Sequence, residues 1–324
     1  MKRICCLMLL TALLTGCATH AEQPQPTETP AVTPAWTLPL PVGEDGLPVL
    51  EVFVVQESTI RPMDIETYLC GVVAGEMQND WPLEALRAQA ILARTFVLKF
   101  VTEKDSRYAG ADVSTDITEA QAYNEACVND RVLEAVRSTA GMVLVNEDGT
   151  LPYTWFHAHS GGRTALAVEG LDWQDEEPGY TVVTEGLDSN AAPDSAREWS
   201  ASFLVSEFLS ACRTAGAVAE SAKRVTVTEK GDSGRAVTLS VDGVEVNAAR
   251  LRLALGSTVM RSTLLTELSS DGKEVRMSGL GYGHGVGMPQ WGAYALAQDG
   301  YPGEEIASYY YKGLTLIRLW EQPY

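Results

Sequence analysis

The chain is short of what most intracellular chemistry requires. It carries 24 basic against 43 acidic side chains, a formal charge of −19, and only 4 histidines. A surface this poor in Lys and Arg cannot neutralise a phosphate backbone, so nucleic acid is excluded as a partner. The same shortage argues against adhesion to anionic lipid through a basic patch, and the acidic balance serves solubility. No C-x-x-C pair, H-E-x-x-H motif, P-loop or G-x-S-x-G elbow occurs. The leading apolar run, Ile4 to Leu14, is about half the ~20 residues that a membrane span needs, and no second candidate follows. Cys5 and Cys6 fall inside that run and Cys17 just after it. Cys70, Cys127 and Cys212 are left, an odd set that cannot form a complete disulfide framework and reads as small core residues.

What is there begins at the N-terminus. Lys2-Arg3, the apolar run and the small residues Leu14-Thr15-Gly16 form a secretory signal. The Cys17 that follows resembles the lipidated cysteine of a bacterial lipoprotein. The expected organisation is a signal over 1–17 and a tether over 18–48, followed by a globular body over 49–324. Seven prolines among Thr, Glu and Gln make the tether extended and unable to build a core. The expected location is outside the cytoplasm, on the outer face of the cell membrane, held by lipid on Cys17.

The body opens with a strand over Leu50–Gln56 and then two helices. Asp64 is placed to cap the first, from Ile65. Ile65, Leu69, Val72 and Glu76 share one helical face, with Glu76 within about 20° of Leu69. A carboxylate in an apolar stripe is raised in pKa by desolvation, and a protonated carboxyl can serve as a general acid. Gly71 and Gly75 lie beside it, although Ala would make the better helix by ~1 kcal/mol at each position. Something therefore approaches the backbone closely there. Asp80 and Pro82 open the second helix, to about Val101. Arg94 falls on its apolar face, where a buried cation needs an anionic partner, and Glu76 is the nearest candidate in the pattern.

Two later segments stand out. Tyr153–Phe156 is β-prone and leads into His157-Ala158-His159-Ser160-Gly161-Gly162-Arg163-Thr164. Histidines at i,i+2 share a strand face, but zinc wants three or four ligands, and only His284 and distant carboxylates or cysteines remain to complete a set. Further on, Gly279, Gly281, Gly283, Gly285 and Gly287 alternate with Leu280, Tyr282, His284, Val286 and Met288. In extended chain this bares one face, which suits either a flat polymer such as a glycan or close packing on a helix. The spacing fails the dinucleotide fingerprint, whose third glycine would fall at Val286. Helices are expected over Gln290–Gln298 and Pro302–Tyr311, and a hairpin of Arg224–Leu239 with Val241–Val246 turns at Asp242-Gly243.

Taken together, DIETYLCGVVAGEMQNDWPLEALRAQAILARTFVL (64–98), TDITEAQAY (115–123), FHAHSGGRT (156–164) and GLGYGHGVGMPQWGAYALA (279–297) resemble the stage II sporulation protein D family. That family includes the amidase enhancers called LytB. The resemblance runs in order from about Leu50 to Leu319. It implies an extracytoplasmic peptidoglycan lytic transglycosylase, which cuts between N-acetylmuramic acid and N-acetylglucosamine and leaves anhydro-sugar ends. It places the catalytic glutamate at Glu76. His284, Tyr282 and Gln290 are the candidates for glycan contact, with Arg94, His157 and His159 as second choices. Some members bind zinc through His and Cys near the histidine segment. No Cys lies between Cys127 and Cys212 here, so no metal and no cofactor is carried over.

The implied partners are peptidoglycan glycan strands, the membrane through Cys17, and a cell-wall amidase or other sporulation wall enzyme. Sporulation is the family's setting, whereas the lipoprotein-like N-terminus and tether suit a vegetative paralogue. Two competing functions stay open: a non-catalytic wall-binding amidase enhancer, and a metal-dependent wall hydrolase built on His157, His159 and His284. The expected fold is α+β, helices and antiparallel strands forming a substrate cleft, as one large domain or two intimate subdomains.

Overall fold

The computed structural model describes residues 37–321 apart from Ser189. The signal residues with Cys17, and the tether up to residue 36, lie outside the described residues. Packed chain begins earlier than the expected boundary at residue 49. Leu40 and Leu47 are buried and Val42 bridges Pro48. Proline there does not keep the chain off the body, because Leu38 and Leu40 supply apolar surface that seats on the core.

The architecture is α+β, with nine α-helices and five small sheets among the described residues. Val49–Val54 pairs antiparallel with Thr59–Asp64 and parallel with Val113–Ser114. The first helix, Ile65–Glu76, starts where expected, and the Asp64 carboxylate accepts from the Thr67 N–H at 2.9 Å. The second helix, Leu83–Glu103, is capped by Pro82 with no side-chain bond, so Asp80 does not cap it. This helix is the axis of the larger core. The first helix, Asp130–Ser138, Gln290–Gln298 and Gly303–Tyr309 pack round it. Leu86, Ile91, Leu92 and Leu98 are fully buried, each contributing about 1.5–3 kcal/mol of transfer free energy.

A second core holds Trp199, Phe203, Phe208, Leu239, Leu251 and Met277. It is enclosed by the antiparallel sheet of Leu265–Ser270, Glu274–Leu280 and Glu198–Leu204, with Val205–Thr214 and Ala248–Leu255 against it. The expected hairpin is instead a three-stranded meander of Val225–Lys230, Ala236–Val241 and Val244–Asn247. The Asp242-Gly243 turn is as expected, with φ of 47° and 93°. The expected long strand Arg224–Leu239 is broken by an extra turn at Gly231–Gly234, where the Gly231 N–H donates to the Arg235 carbonyl at 3.0 Å. Among the described residues, no helix is long and apolar enough to cross a membrane.

The glycine alternation is not a strand. The continuous strand ends at Leu280, beyond which Tyr282 and Val286 make only isolated bridges to His159 and Ala165, and Gly281, Gly283, Gly285 and Gly287 all have positive φ, between 70° and 115°. L side chains rarely adopt that backbone, so glycine serves here as the hinge residue of a looping segment. The loop is also tightly threaded. A Cβ on Gly283 would lie 2.6 Å from His157 Cβ, and one on Gly281 2.6 Å from the His159 carbonyl. The bare face expected for a flat polymer is taken up by the histidine segment of the chain itself.

Candidate active site around Glu76

Glu76 is the last residue of the first helix and is half-buried. Its Oε1 accepts from the Ala122 N–H at 2.7 Å, and its Oε2 accepts from Gln290 Nε2 at 3.4 Å. Among the described residues it makes no ion pair. Burial pushes its pKa up to about 7, against the pull of the two donors, which favour the carboxylate. The group therefore changes charge near neutrality, where a proton donor that must later act as a base is most effective.

The two flanking glycines explain how the backbone donor gets there. A Cβ on Gly71 would run into the Tyr123 ring. One on Gly75 would sit 2.7 Å from Tyr123 N and 2.8 Å from the Ala122 carbonyl carbon. What approaches the first helix is thus the chain's own 122–124 segment, and its approach delivers the Ala122 N–H to Glu76. Gly75→Ala, despite alanine's better helix propensity, is expected to destabilise the fold by about 1–3 kcal/mol through overpacking against backbone. Thermal unfolding measures this. An unchanged or raised Tm would mean that the segment yields.

Arg94 is a correction. It is fully buried, and its guanidinium grips Glu66 through Nε–Oε1 at 3.0 Å and Nη2–Oε2 at 2.5 Å. Glu66 also accepts from the Gly141 N–H at 3.1 Å and from Trp320 Nε1 at 2.9 Å. Arg94 is therefore the centre of a buried network and pairs with Glu66, not with Glu76. The helical pattern showed that a partner was required, but two carboxylates of the first helix were available and packing chose Glu66.

Gln290 is brought directly to Glu76. It opens the helix Gln290–Gln298, right after Pro289, whose backbone pairs with His157, and right before Trp291, whose N–H donates to the Ala158 carbonyl at 3.1 Å. The other candidates collect behind this junction. His157 is buried with Nδ1 3.2 Å from the Val286 carbonyl, and its ring centroid is 5.5 Å from that of His284. His284 Nδ1 accepts from the Val286 N–H at 3.1 Å. His159 accepts from the Gly161 N–H at 3.0 Å and lies 3.5 Å from Asp188.

Burial lowers the pKa of all three histidines, that of His284 to about 3, with Arg252 and Arg235 adding to the effect. Burial thus favours the neutral imidazole at each, against the pull of Asp188 at His159. Arg235, itself fully buried, ties the segment together by donating to the Ser160 carbonyl at 2.6 Å and the Arg163 carbonyl at 3.0 Å. Tyr282 exchanges backbone bonds with His159 and lies under the Arg261 guanidinium, 5.2 Å from its ring centroid. Among the described residues, no three His, Cys, Asp or Glu side chains are grouped to hold a metal ion.

So one sequence-predicted contact, Gln290, meets the glutamate, while His157, His159, His284 and Tyr282 hold the glycine loop and Arg94 the core. Sequence reasoning missed Ala122, whose contribution is a backbone N–H and leaves no side-chain signal. Gly71 and Gly75 were the visible trace of it.

A family model described as "Stage II sporulation protein" matches residues 55–146, the stretch holding Glu76, Ala122 and Arg94. A model of a domain of unknown function (DUF8618) matches residues 163–287. An uncharacterized protein of Brachyspira hyodysenteriae is 29% identical over 80% of this chain and 68% of its own length. Stage II sporulation protein D of Bacillus subtilis is 25% identical over 97% of this chain and 93% of its own. The amidase enhancer of Bacillus subtilis is 30% identical over 76% of this chain, which spans 40% of that protein's length.

Proposed function

We propose that this chain, which belongs to the stage II sporulation protein D family with its amidase-enhancer relatives, is a peptidoglycan lytic transglycosylase. The observation that carries the reading is Glu76: one half-buried carboxyl with a pKa of about 7, no ionic partner among the described residues, and two N–H donors fixing its orientation. In the first half of the reaction its proton passes to the glycosidic oxygen as the bond from muramic acid C1 breaks. Ala122 N–H and Gln290 Nε2 then stabilise the carboxylate left behind. In the second half that carboxylate takes the proton from the muramic acid's own hydroxyl as the oxygen closes on C1. Glu76 ends protonated again and the product carries an anhydro ring. Ordinary glycosidases use two carboxylates, one of them to activate water or to attack. A nucleophile supplied by the substrate removes the need for the second.

The test is to incubate the purified chain with intact and peptide-stripped sacculi and weigh the released ends by mass spectrometry. Anhydro-muramic ends are expected. Reducing ends would replace this reading with hydrolysis. The rate should also fall about tenfold per pH unit above ~7, as the donor form of Glu76 is lost. A rate flat from pH 6 to 9 would remove Glu76 as the acid. The match to an amidase enhancer favours a second reading, a wall-binding activator. It would be recognised by stimulation of an amidase without release of glycan ends. The lipid anchor at Cys17 and a site of action outside the cytoplasmic membrane belong to the same proposal.

A further inference from the structure

The two chain segments that meet at Glu76 do not part at once. Beyond Glu76 the chain runs through Gln78 and Asp80 to Trp81. Beyond Gln290 the helix continues through Trp291 and Tyr294 to Gln298. Between them lies an open cavity of about 290 Å³ lined by both segments and by Arg131. Gln290, Tyr294 and Gln298 recur at i, i+4 and i+8, so they share one face of the helix, and about 12 Å of that face leads away from Glu76.

Most of the cavity's exposed lining is polar, and three aromatic rings form part of its wall. The Trp81 and Trp291 centroids are 4.5 Å apart, those of Trp81 and Tyr294 5.2 Å, and those of Trp291 and Tyr294 5.3 Å. Trp81 is the buried base of this trio, while Trp291 and Tyr294 are only partly covered and line the cavity. The rim is polar. Gln78, Asp80, Arg131 and Gln298 are exposed, and Arg131 Nη1 donates to the Asp80 and Trp81 carbonyls at 2.9 and 3.0 Å, which fixes the segment after Glu76.

We propose that this cavity is a saccharide subsite that seats an N-acetylhexosamine ring of the glycan strand beside the bond reached by Glu76. This rests on the reading of Glu76 as the site of glycan cleavage. A pyranose has an apolar C–H face and a polar edge of hydroxyl and acetamido groups. Flat rings such as Trp291 and Tyr294 match the first, and amide, carboxylate and guanidinium groups match the second. The charges of Asp80 and Arg131 offset each other, and Arg131 is already engaged with two carbonyls. An uncharged ligand therefore fits better than the carboxylate-bearing stem peptide.

Binding is measured without turnover, in the full chain carrying Glu76→Gln, with a tetramer of N-acetylglucosamine as probe and tryptophan fluorescence and calorimetry as readouts. The tetramer should perturb the tryptophan emission, and Trp291→Ala and Tyr294→Ala should each weaken its binding about tenfold or more. Gln298→Ala, exposed and outside the core, should weaken it less and gives a readout should Trp291→Ala fail to fold. Unaltered tetramer binding in the folded Tyr294→Ala and Gln298→Ala variants would overturn the subsite. So would a free stem peptide that binds here in place of the tetramer. Tetramer binding that depends on Tyr294, in a chain whose unmutated form releases no anhydro ends, would support the subsite while the transglycosylase reading falls. Turnover by the unmutated chain, with binding indifferent to these residues, would do the reverse.

Discussion

Glu76→Gln is expected to lower glycan-strand cleavage by about 10²–10⁴-fold, the usual worth of a positioned acid–base group. The true loss should lie at the upper end, since one carboxyl is asked both to give a proton and to take one back. Glutamine has nearly the same shape, and its carbonyl oxygen can still accept from the Ala122 N–H that now bonds Glu76 at 2.7 Å. The substitution also removes a charge that burial disfavours. Glu76 binds its proton more tightly folded, at about 7, than at its ordinary 4.5. Its favourable contribution is therefore complete below pH 4.5 and is lost as pH rises through about 7. The Gln variant lacks that loss, so its Tm at pH 8 should equal or exceed that of the parent. Release of anhydro-ended muropeptides and thermal unfolding, measured on one preparation, check both halves. Full cleavage by a folded Glu76→Gln chain would end the assignment of this residue.

The second large effect concerns stability. Arg94→Met keeps an unbranched apolar stem but removes the guanidinium and strips Glu66 of a bidentate partner where Arg94 is 0% and Glu66 6% side-chain exposed. An uncompensated charge in such a place costs about 3–5 kcal/mol. Glu66 keeps the Gly141 N–H and Trp320 Nε1, which places the expectation at the lower end of that range. Removing both charges in the double variant Glu66→Gln/Arg94→Met should recover much of the loss, because the two sites are in contact and their effects are not additive. Denaturant unfolding of the parent, both single variants and the double variant measures the coupling. A single Arg94→Met variant as stable as the parent would show that the network is not what holds the first and second helices together.

The candidate site was legible to different depths. Glu76 stood out because a carboxylate broke an apolar helical stripe, and the structure places it at the end of that helix in contact with Gln290. Gly71 and Gly75 rightly signalled a close approach, but spacing along a helix cannot say what comes close, and it proved to be Tyr123 and its backbone. The alternation from Gly279 to Gly287 was misleading. A period of two is the period of a strand, yet glycine alternates equally well where the backbone repeatedly turns to positive φ, and identity alone does not distinguish the two. The histidines went the same way. His157 and His159 are two residues apart, but one faces His284 and the other Asp188.

Local order was in the chain from the start. Asp64 caps, Pro82 and Gly300 delimit helices, and Asp242-Gly243 turns, because each acts through bonds and torsions within a few residues of itself. Partnership was not. That Arg94 takes Glu66 rather than Glu76, that Ala122 lends Glu76 its N–H across 46 positions, and that Gln290 reaches it across 214 were decided only when the cores closed. Desolvation and hydrogen-bond geometry depend on which surfaces meet in space, and the raised pKa of Glu76 exists only after they have met.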